Sequence, residues 1–511
     1  MKKLPIGIQS FGKLIMEGHY YVDKTPFVKK LEDGGYYFLS RPRRFGKSLF
    51  LDTLKEAFSG NKELFKGLYL YDNWDWERRY PVIKISFGKG INRTPEELKL
   101  SIEEIFLDIE GDNDIKLTYP TIKGRFEEAI RKLHDKHKQR VVVLVDEYDK
   151  PILDRIEEPE VAKQNREVLK DFYSVLKESD AYIKLVFITG VSRFSKVSIF
   201  SGLNQLRDIT LSPEFATVCG YTQEDLETVF EDRLKGFDRE EIRRWYNGYS
   251  WLGESVYNPF DILLLFAENR YRPYWFETGT PTFLIKLFQK NRYYLPRLEE
   301  IRVGEELLSN LDVDYIFPEN LLFQTGYLTI KRMIRAGNKN IYTLTYPNLE
   351  VRMSFNDAFL AYLTYDPVSK DTAETNIIEA LEEDDIEKLK DILHSFFSSI
   401  PLDWYRKNDI DSYEGYYASV IYALFNGAGL TTIAEDTTNV GRIDLTVIYG
   451  DKVYILEFKV VENEAEGTAL RQIRDKRYYE KYMGKYNQIY LIGIEWSKSL
   501  KNIVSFEFEK A

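Results

Sequence analysis

Hydrophobic positions in the N-terminal part of the chain alternate between two periods. Tyr36 to Ser40 is a run of aromatic and apolar residues that reads as a strand, and just beyond it Leu51, Leu54 and Phe58 recur at helical spacing, with Gly60 as C-terminal cap. Before that strand, Thr25-Pro26 pairs an N-cap with proline at the first helical position, and the helix through Phe27, Val28 and Leu31 stops at Gly34-Gly35. Further strands are predicted over Val82 to Phe87, Val141 to Val145 and Ile183 to Thr189. Helices are predicted over Pro95 to Ile109, with Thr94 as N-cap, and over Glu157 to Leu176. Val141 to Val145 is apolar without alternation, as in a strand covered on both faces of a parallel sheet. Strands alternating with helices define an α/β domain, placed at residues 1–215.

After Ser212 the pattern turns mostly helical and aromatic, through Tyr246-Asn247-Gly248-Tyr249 and Tyr274 to Thr280. This is read as a helical lid or connecting domain over residues 216–345. A charged helix near Ile386 to Phe397 leads into a last α/β region from Asp411 onward, within a domain placed at 373–511. Tyr416 to Ile433 is apolar but broken by Ser419, Asn426, Gly427, Gly429 and Thr431, so it predicts a buried helix and a turn rather than a membrane span.

Composition narrows the chemistry. At 511 residues the chain needs more than one hydrophobic core, and 44% hydrophobic with 30% charged residues is globular composition. A single cysteine, Cys219, excludes an intramolecular disulfide, and four scattered histidines argue against a Cys/His zinc site. No charge-flanked apolar leader is apparent, so a soluble cytoplasmic protein is expected, without membrane partners. A net charge of −11 argues against bulk nucleic-acid coating but leaves room for a local basic groove. Metal chemistry should then use carboxylates and Mg²⁺ (Mn²⁺ as the alternative ion).

The strand Tyr36 to Ser40 ends in Arg41-Pro42-Arg43-Arg44-Phe45-Gly46-Lys47-Ser48 and a helix follows at once. A P-loop asks for Gly, four residues, then Gly-Lys-Ser/Thr; Arg41 occupies the first glycine position, so the match is partial. The free amides of the new helix suit phosphate, with Lys47 on the outer phosphates of ATP, Ser48 on Mg²⁺, and Arg43 and Arg44 adding charge. The buried strand Val141 to Val145 delivers Asp146-Glu147 at its carboxyl end, where open α/β sheets bind ligands. Asp146 would hold Mg²⁺ through water and Glu147 would polarise the attacking water. A third strand ends in Thr189-Gly190 and continues to Ser192-Arg193, placing Thr189 and Arg193 to sense the terminal phosphate.

Near the C-terminus, Gly441-Arg442-Ile443-Asp444 opens an alternating run to Tyr449, Gly450-Asp451 signals a turn, and Val453 to Val460 alternates again. A two-residue loop pairs Tyr449 with Lys452, and counting back pairs Asp444 with Glu457, whose Cβ atoms would then be about 5 Å apart. Lys459 shares their face, while Ile443, Leu445, Val447, Leu456, Phe458 and Val460 turn to a core. Opposed carboxylates repel unless a cation separates them, so Mg²⁺ held by Asp444 and Glu457 is expected, with Lys459 orienting water or neutralising a phosphodiester. A cross-strand salt-bridge ladder on a solvated face is the competing reading. The cluster Arg471, Arg474, Lys476, Arg477 and Lys481 suits either a phosphate backbone or a solvated helix face.

Tyr21-Val22-Asp23-Lys24-Thr25, Ser40 to Ser48, Asp146-Glu147-Tyr148-Asp149, Thr189 to Phe194, Tyr246 to Tyr249 and Tyr257-Asn258-Pro259 together resemble the AAA-ATPase-like family of bacteria and archaea. That family typically lacks the first P-loop glycine. The resemblance implies an ATPase core with the catalytic strand inserted between the first and second strands, and Asp23 and Lys24 near the nucleotide. Asp444 with Glu457-x-Lys459 resembles the PD-(D/E)XK nuclease superfamily, in the version often fused to this ATPase type. It implies a C-terminal α/β domain with a mixed sheet, an accessory acid at Glu414 and an active-site glutamine at Gln472. The expected function is an ATP-binding and ATP-hydrolysing enzyme with a Mg²⁺-dependent nuclease domain, acting on nucleic acid with DNA ahead of RNA. The alternative is a nucleotide-switched regulatory or scaffold ATPase whose C-terminal domain binds nucleic acid or protein without cutting. Oligomerisation is left open.

Overall fold

The computed structural model describes residues 1–194, 199–200, 203–278, 284, 288, 294–309, 311–312, 314, 316–364, 366–400 and 414–511. Thr280, ending one expected segment, and Asp411, starting another, lie outside the described residues. The chain forms two compact units: Met1–Trp275 with Arg302–Asn348, and Phe276–Ile301 with Leu349–Ala511. Among the described residues, no helix is long and apolar enough to cross a membrane.

The first unit is built on a parallel sheet of β1 (Gly35–Ser40), β2 (Val82–Ser86), β3 (Val141–Asp146), β4 (Ile183–Gly190) and β5 (Arg207–Asp208), in the order β2-β3-β4-β1-β5. Val141 to Val145 is fully buried, as its unbroken apolar run requires. Both β3 and β4 lie between β1 and β2, so β4 alone separates the strand bearing Asp146 from the strand entering the P-loop.

Helix α1 (Lys47–Phe58) leaves β1 directly, and α2 (Pro95–Asn113), α3 (Ile122–His137) and α4 (Pro159–Glu178) form a second layer. Phe172 of α4 stacks on Phe126 of α3 at 4.6 Å and approaches Phe106 of α2 at 6.2 Å. Helix α3 is hard to see in the sequence because its charged positions hide the buried stripe Phe126, Ala129, Ile130 and Leu133, and even Glu128 is buried, accepting the N–H groups of Thr118 and Tyr119. Thr94 caps α2 by accepting the Glu97 N–H, as expected. Thr25 does not cap its helix: Lys24 holds the cap position, and the Thr25 hydroxyl instead accepts the N–H of Leu70 at 3.1 Å.

Residues 216–275 and 302–348 pack into this unit as helices Gln223–Val229, Arg239–Tyr246, Pro259–Glu268 and α5 (Pro318–Thr325). They also hold a three-stranded sheet that the hydrophobic pattern did not announce: β6 (Ile301–Gly304), β7 (Thr329–Ala336) and β8 (Lys339–Thr345), in the order β6-β8-β7. A two-residue Gly337-Asn338 turn joins β7 to β8, with Gly337 at φ 61°. Beyond Ile330 strand β7 is exposed on both faces, so no burial imposed an alternating pattern on it.

The second unit carries a mixed sheet of β9 (Thr431–Thr437), β10 (Arg442–Tyr449), β11 (Lys452–Val461), β12 (Gln488–Ser497) and β13 (Asn502–Lys510), in the order β13-β12-β11-β10-β9. Only β11 and β12 run parallel, joined through α8 (Thr468–Lys476), while α6 (Ile386–Ser399) and α7 (Glu414–Gly427) precede the sheet. Ile443, Val453 and Ile455 pack against Leu470 and Ile473 of α8. Phe458 and Trp496 meet Tyr417 of α7 and Phe397 of α6. Val453 and Ile455 share the face of Glu457, so that face is covered rather than solvated.

Candidate functional site

The P-loop turns on two residues of positive φ, Arg44 at 68° and Gly46 at 91°, before α1 begins. A Cβ at Gly46 would meet nothing within 4 Å, so glycine is required there by backbone conformation and not by neighbours. The amides opening α1 have no partner within the helix and face the loop. Lys47 is 6% exposed; its ammonium donates to the carbonyls of Arg41 at 2.9 Å and Pro42 at 2.8 Å, and burial lowers its pKa against the pull of Asp146. Arg43 and Arg44 are exposed beside it, Ser48 half-buried.

Arg41, in place of the missing glycine, is fully buried. Its guanidinium donates to the carbonyls of Ser40 (2.8 Å), Thr210 (2.9 Å) and Phe215 (3.1 Å) and lies 4.1 Å over the Trp251 ring. Burial lowers its pKa to about 10. The residue is thus a strut beneath the loop, not a phosphate contact. Phe45 meets Tyr249 at 4.7 Å and Trp251 at 5.5 Å, and Trp275 donates its indole N–H to the Arg43 carbonyl at 3.1 Å. The Tyr246-Asn247-Gly248-Tyr249 segment is therefore a packed corner holding the loop. Gly248 sits there at φ 116°, where a Cβ would come within 1.9 Å of the Pro347 carbonyl.

Asp146 is 4% exposed and accepts the Thr189 hydroxyl at 2.8 Å, which ties the ends of β3 and β4 together. Glu147 follows in a left-handed conformation (φ 52°), its carboxyl raised by burial and by Asp146. Asp149, given no role in the sequence reading, accepts the N–H groups of Val191 (3.0 Å) and Ser192 (2.6 Å) and the Ser192 hydroxyl (2.5 Å). Burial raises its pKa all the same. It fixes the exit of β4 against the acidic turn, and its signal was only its place in an Asp-Glu-Tyr-Asp cluster.

Arg193 is not directed at the loop. Its guanidinium pairs with Asp208 at 2.6 Å and reaches the Leu308 carbonyl, while its N–H donates to Gln324 of α5 at 2.7 Å. Asp23 accepts the N–H groups of Thr25 (2.9 Å) and Tyr69 (2.7 Å), and Lys24 pairs with Asp225 at 2.8 Å. Cys219 is buried, as expected of a core thiol.

In the second unit, the β10–β11 register is the one counted from the Gly450-Asp451 turn: Tyr449 opposes Lys452, and pairing runs back to Leu445 opposite Leu456. The ladder ends there, one position short of the acids. Freed from pairing, the Asp444 carboxylate accepts the Phe458 N–H at 2.8 Å. Glu457 is 1% exposed; one carboxyl oxygen accepts the Gln472 amide, and the other, Oε2, is buried without a hydrogen-bond partner among the described residues. Lys459 lies 3.6 Å from Glu457 and 4.0 Å from Glu414. Burial and then Asp444 push Glu457 up to about 8, and burial pushes Asp444 up to about 6; Glu414 is raised by burial as well. Asp444 of β10, Glu457 and Lys459 of β11, Glu414 of α7 and Gln472 of α8 thus converge from four elements. A hard divalent cation fits this donor set: it would satisfy the orphaned Oε2 and relieve the repulsion.

The nearby cations are mostly spoken for. Arg474 pairs with Glu509, Arg477 with Glu480 at 2.5 Å, and Lys481 with Asp436. Elsewhere Asp357, Asp371 and Glu374 bring donor atoms within 4.8 Å of one another, but Lys370 takes the cation's place, pairing with all three.

A five-stranded parallel sheet with a Gly-Lys-Ser loop after β1 and an acidic turn after β3, joined to a mixed sheet with an Asp, Glu-x-Lys hairpin, defines a P-loop ATPase fold fused to a nuclease-type fold. Residues 5–200 match the family model described as Predicted AAA-ATPase, and residues 412–506 match the PD-(D/E)XK nuclease superfamily. A protein of Azotobacter chroococcum mcd 1, described as an uncharacterized protein in vnfD 5'region, is 50% identical over 511 residues, 99% of each chain. The chain belongs to the predicted AAA-ATPases that carry a C-terminal PD-(D/E)XK nuclease superfamily domain.

Proposed function

We propose that this protein hydrolyses ATP at the P-loop and cleaves nucleic-acid phosphodiesters at the C-terminal hairpin, with Mg²⁺ at both sites. The carrying observation is the buried Glu457 Oε2, without a hydrogen-bond partner among the described residues, beside Asp444 and Lys459. A carboxylate oxygen buried unsatisfied is costly, and a resident cation is the simplest reason to keep it.

At the first site, Lys47 and the amides of α1 bind the outer phosphates, and Arg43 and Arg44 flank them. Ser48 and Asp146 are the Mg²⁺ ligands, the latter held in place by Thr189. Glu147, raised toward neutrality, accepts the proton of the attacking water. Arg193 acts indirectly, by anchoring the end of β4 to Asp208 and α5.

At the second site, Asp444 and Glu457 hold the ion, which supplies Lewis acidity toward phosphate and water when bound. The Phe458 N–H orients Asp444, and the Gln472 amide orients Glu457. Lys459 neutralises the charge developing on the phosphate or orients the water, and Glu414 holds Lys459 toward it. The test is cleavage of plasmid, single-stranded DNA and RNA with Mg²⁺ or Mn²⁺, comparing wild type with Lys459→Ala. Loss of cutting in the variant supports the reading, and equal cutting refutes it. A protein that turns over ATP without cutting any of the three is a nucleotide switch instead.

A further inference from the structure

The geometry points to a second nucleic-acid contact, in the first unit: the β7–β8 hairpin grips the phosphate backbone of a duplex. Lys331, Arg332, Arg335 and Lys339 are all exposed on it, and residues 329–345 contain no Asp or Glu. In a chain of net charge −11, a hairpin with four cations and no anion is a marked local reversal. Arg335 and Lys339 make no ion pair among the described residues, unlike the cations of the C-terminal helix.

The register arranges these side chains. Ladder pairing shifts between Ile330 and Arg332, so Lys331 is the extra residue of a bulge, which sharpens the local twist. Beyond it Arg332 opposes Thr343, Ile334 opposes Ile341 and Ala336 opposes Lys339, placing Arg332, Ile334 and Lys339 on one face. Met333 and Ile334 are 44% and 45% exposed. Ile334 lies on the face of Arg332 and Lys339, and Met333 on the face of Arg335, so each face sets an exposed apolar side chain beside a cation, which suits contact with a partner more than bulk solvent. A two-stranded ribbon also matches the width of the major groove of B-form DNA.

The base of the ribbon is anchored. Ile330, Tyr342 and Leu344 are buried, and Asn340 donates to Glu305 at 3.2 Å. Helix α5, just before the hairpin, is buried along Asn320 to Gln324, so the ribbon and not the helix is the free element. An acidic protein segment would attract these cations too, but Arg332 and Lys339 on one face and Arg335 on the other put charge on both sides of the ribbon, which fits the two phosphate-lined walls of a duplex groove better.

This surface does not depend on the C-terminal site cutting, so it is tested without catalysis. The full-length protein, in EDTA and without nucleotide, is titrated into a fluorescein-labelled DNA duplex of about two helical turns, and separately into an RNA duplex, over a range of salt. Wild type should bind, and Arg335→Ala/Lys339→Ala should bind about tenfold more weakly, with a salt slope shallower by about two. Arg335→Lys/Lys339→Arg should restore binding, and unchanged thermal unfolding should show that both variants fold. Loss on DNA alone or on RNA alone names the duplex. Unchanged affinity and slope in the alanine variant would overturn the inference, as would tighter hairpin-dependent binding to poly-glutamate than to either duplex. Neither result touches the Lys459→Ala test, so the two readings fail separately.

Discussion

Replacing Glu457 with glutamine should stabilise the protein while abolishing cleavage. The side chain is 1% exposed, and burial with Asp444 raises its carboxyl from 4.5 to about 8. At 1.36 kcal/mol per pH unit, holding it neutral at pH 7 against its ordinary tendency to ionise costs about 3 kcal/mol. Glutamine removes that cost, keeps an oxygen to accept from Gln472, and places an amide N–H where Oε2 has no partner among the described residues, a loss of about 1 kcal/mol. The net gain at pH 7 is on the order of 2 kcal/mol. The sign follows from linkage: an acid whose folded pKa is raised contributes stability in full below its unfolded value and loses it as pH rises through the folded value. The advantage of Glu457→Gln should therefore be absent at pH 4, grow through pH 5 to 8, and level off above. Thermal unfolding of both proteins in EDTA from pH 4 to 9 measures it, because the response of groups that do not interact with Glu457 cancels in the difference. Saturating Mg²⁺ should then stabilise wild type and not the variant. A variant less stable than wild type at pH 8 in EDTA, or a difference flat with pH, would refute the argument.

Other expectations are simpler. Glu147→Gln should leave ATP binding intact and slow turnover by about 10² to 10⁴, measured by phosphate release with nucleotide saturating. Arg41→Met removes the donor to three buried carbonyls and should destabilise the fold by about 3 kcal/mol or more in urea melts, whereas Arg44→Met, exposed, should cost little. Gly248→Ala forces a Cβ to within 1.9 Å of the Pro347 carbonyl at φ 116° and should lower stability by about 3 kcal/mol, with weaker ATP binding as the corner over Phe45 loosens.

What the sequence determined by itself was local and periodic. The unbroken apolar run Val141 to Val145, the Gly46-Lys47-Ser48 turn into a helix and the Gly450-Asp451 hairpin each follow from the spacing of residues close in the chain. The register from that turn was enough to bring Asp444, Glu457 and Lys459 together. Residues whose roles depend on distant partners were beyond its reach. Arg41 reads as one of four loop cations until its guanidinium is seen bound to Thr210 and Phe215, far along the chain. Arg193 reads as a phosphate sensor until Asp208 and Gln324 are seen to hold it. Tertiary structure also decided that Glu457 itself is buried beside α8, while Asp444 and Lys459 stay half-buried. That burial sets the pair apart from a solvated salt-bridge ladder, because charge repulsion is strong only where water is excluded.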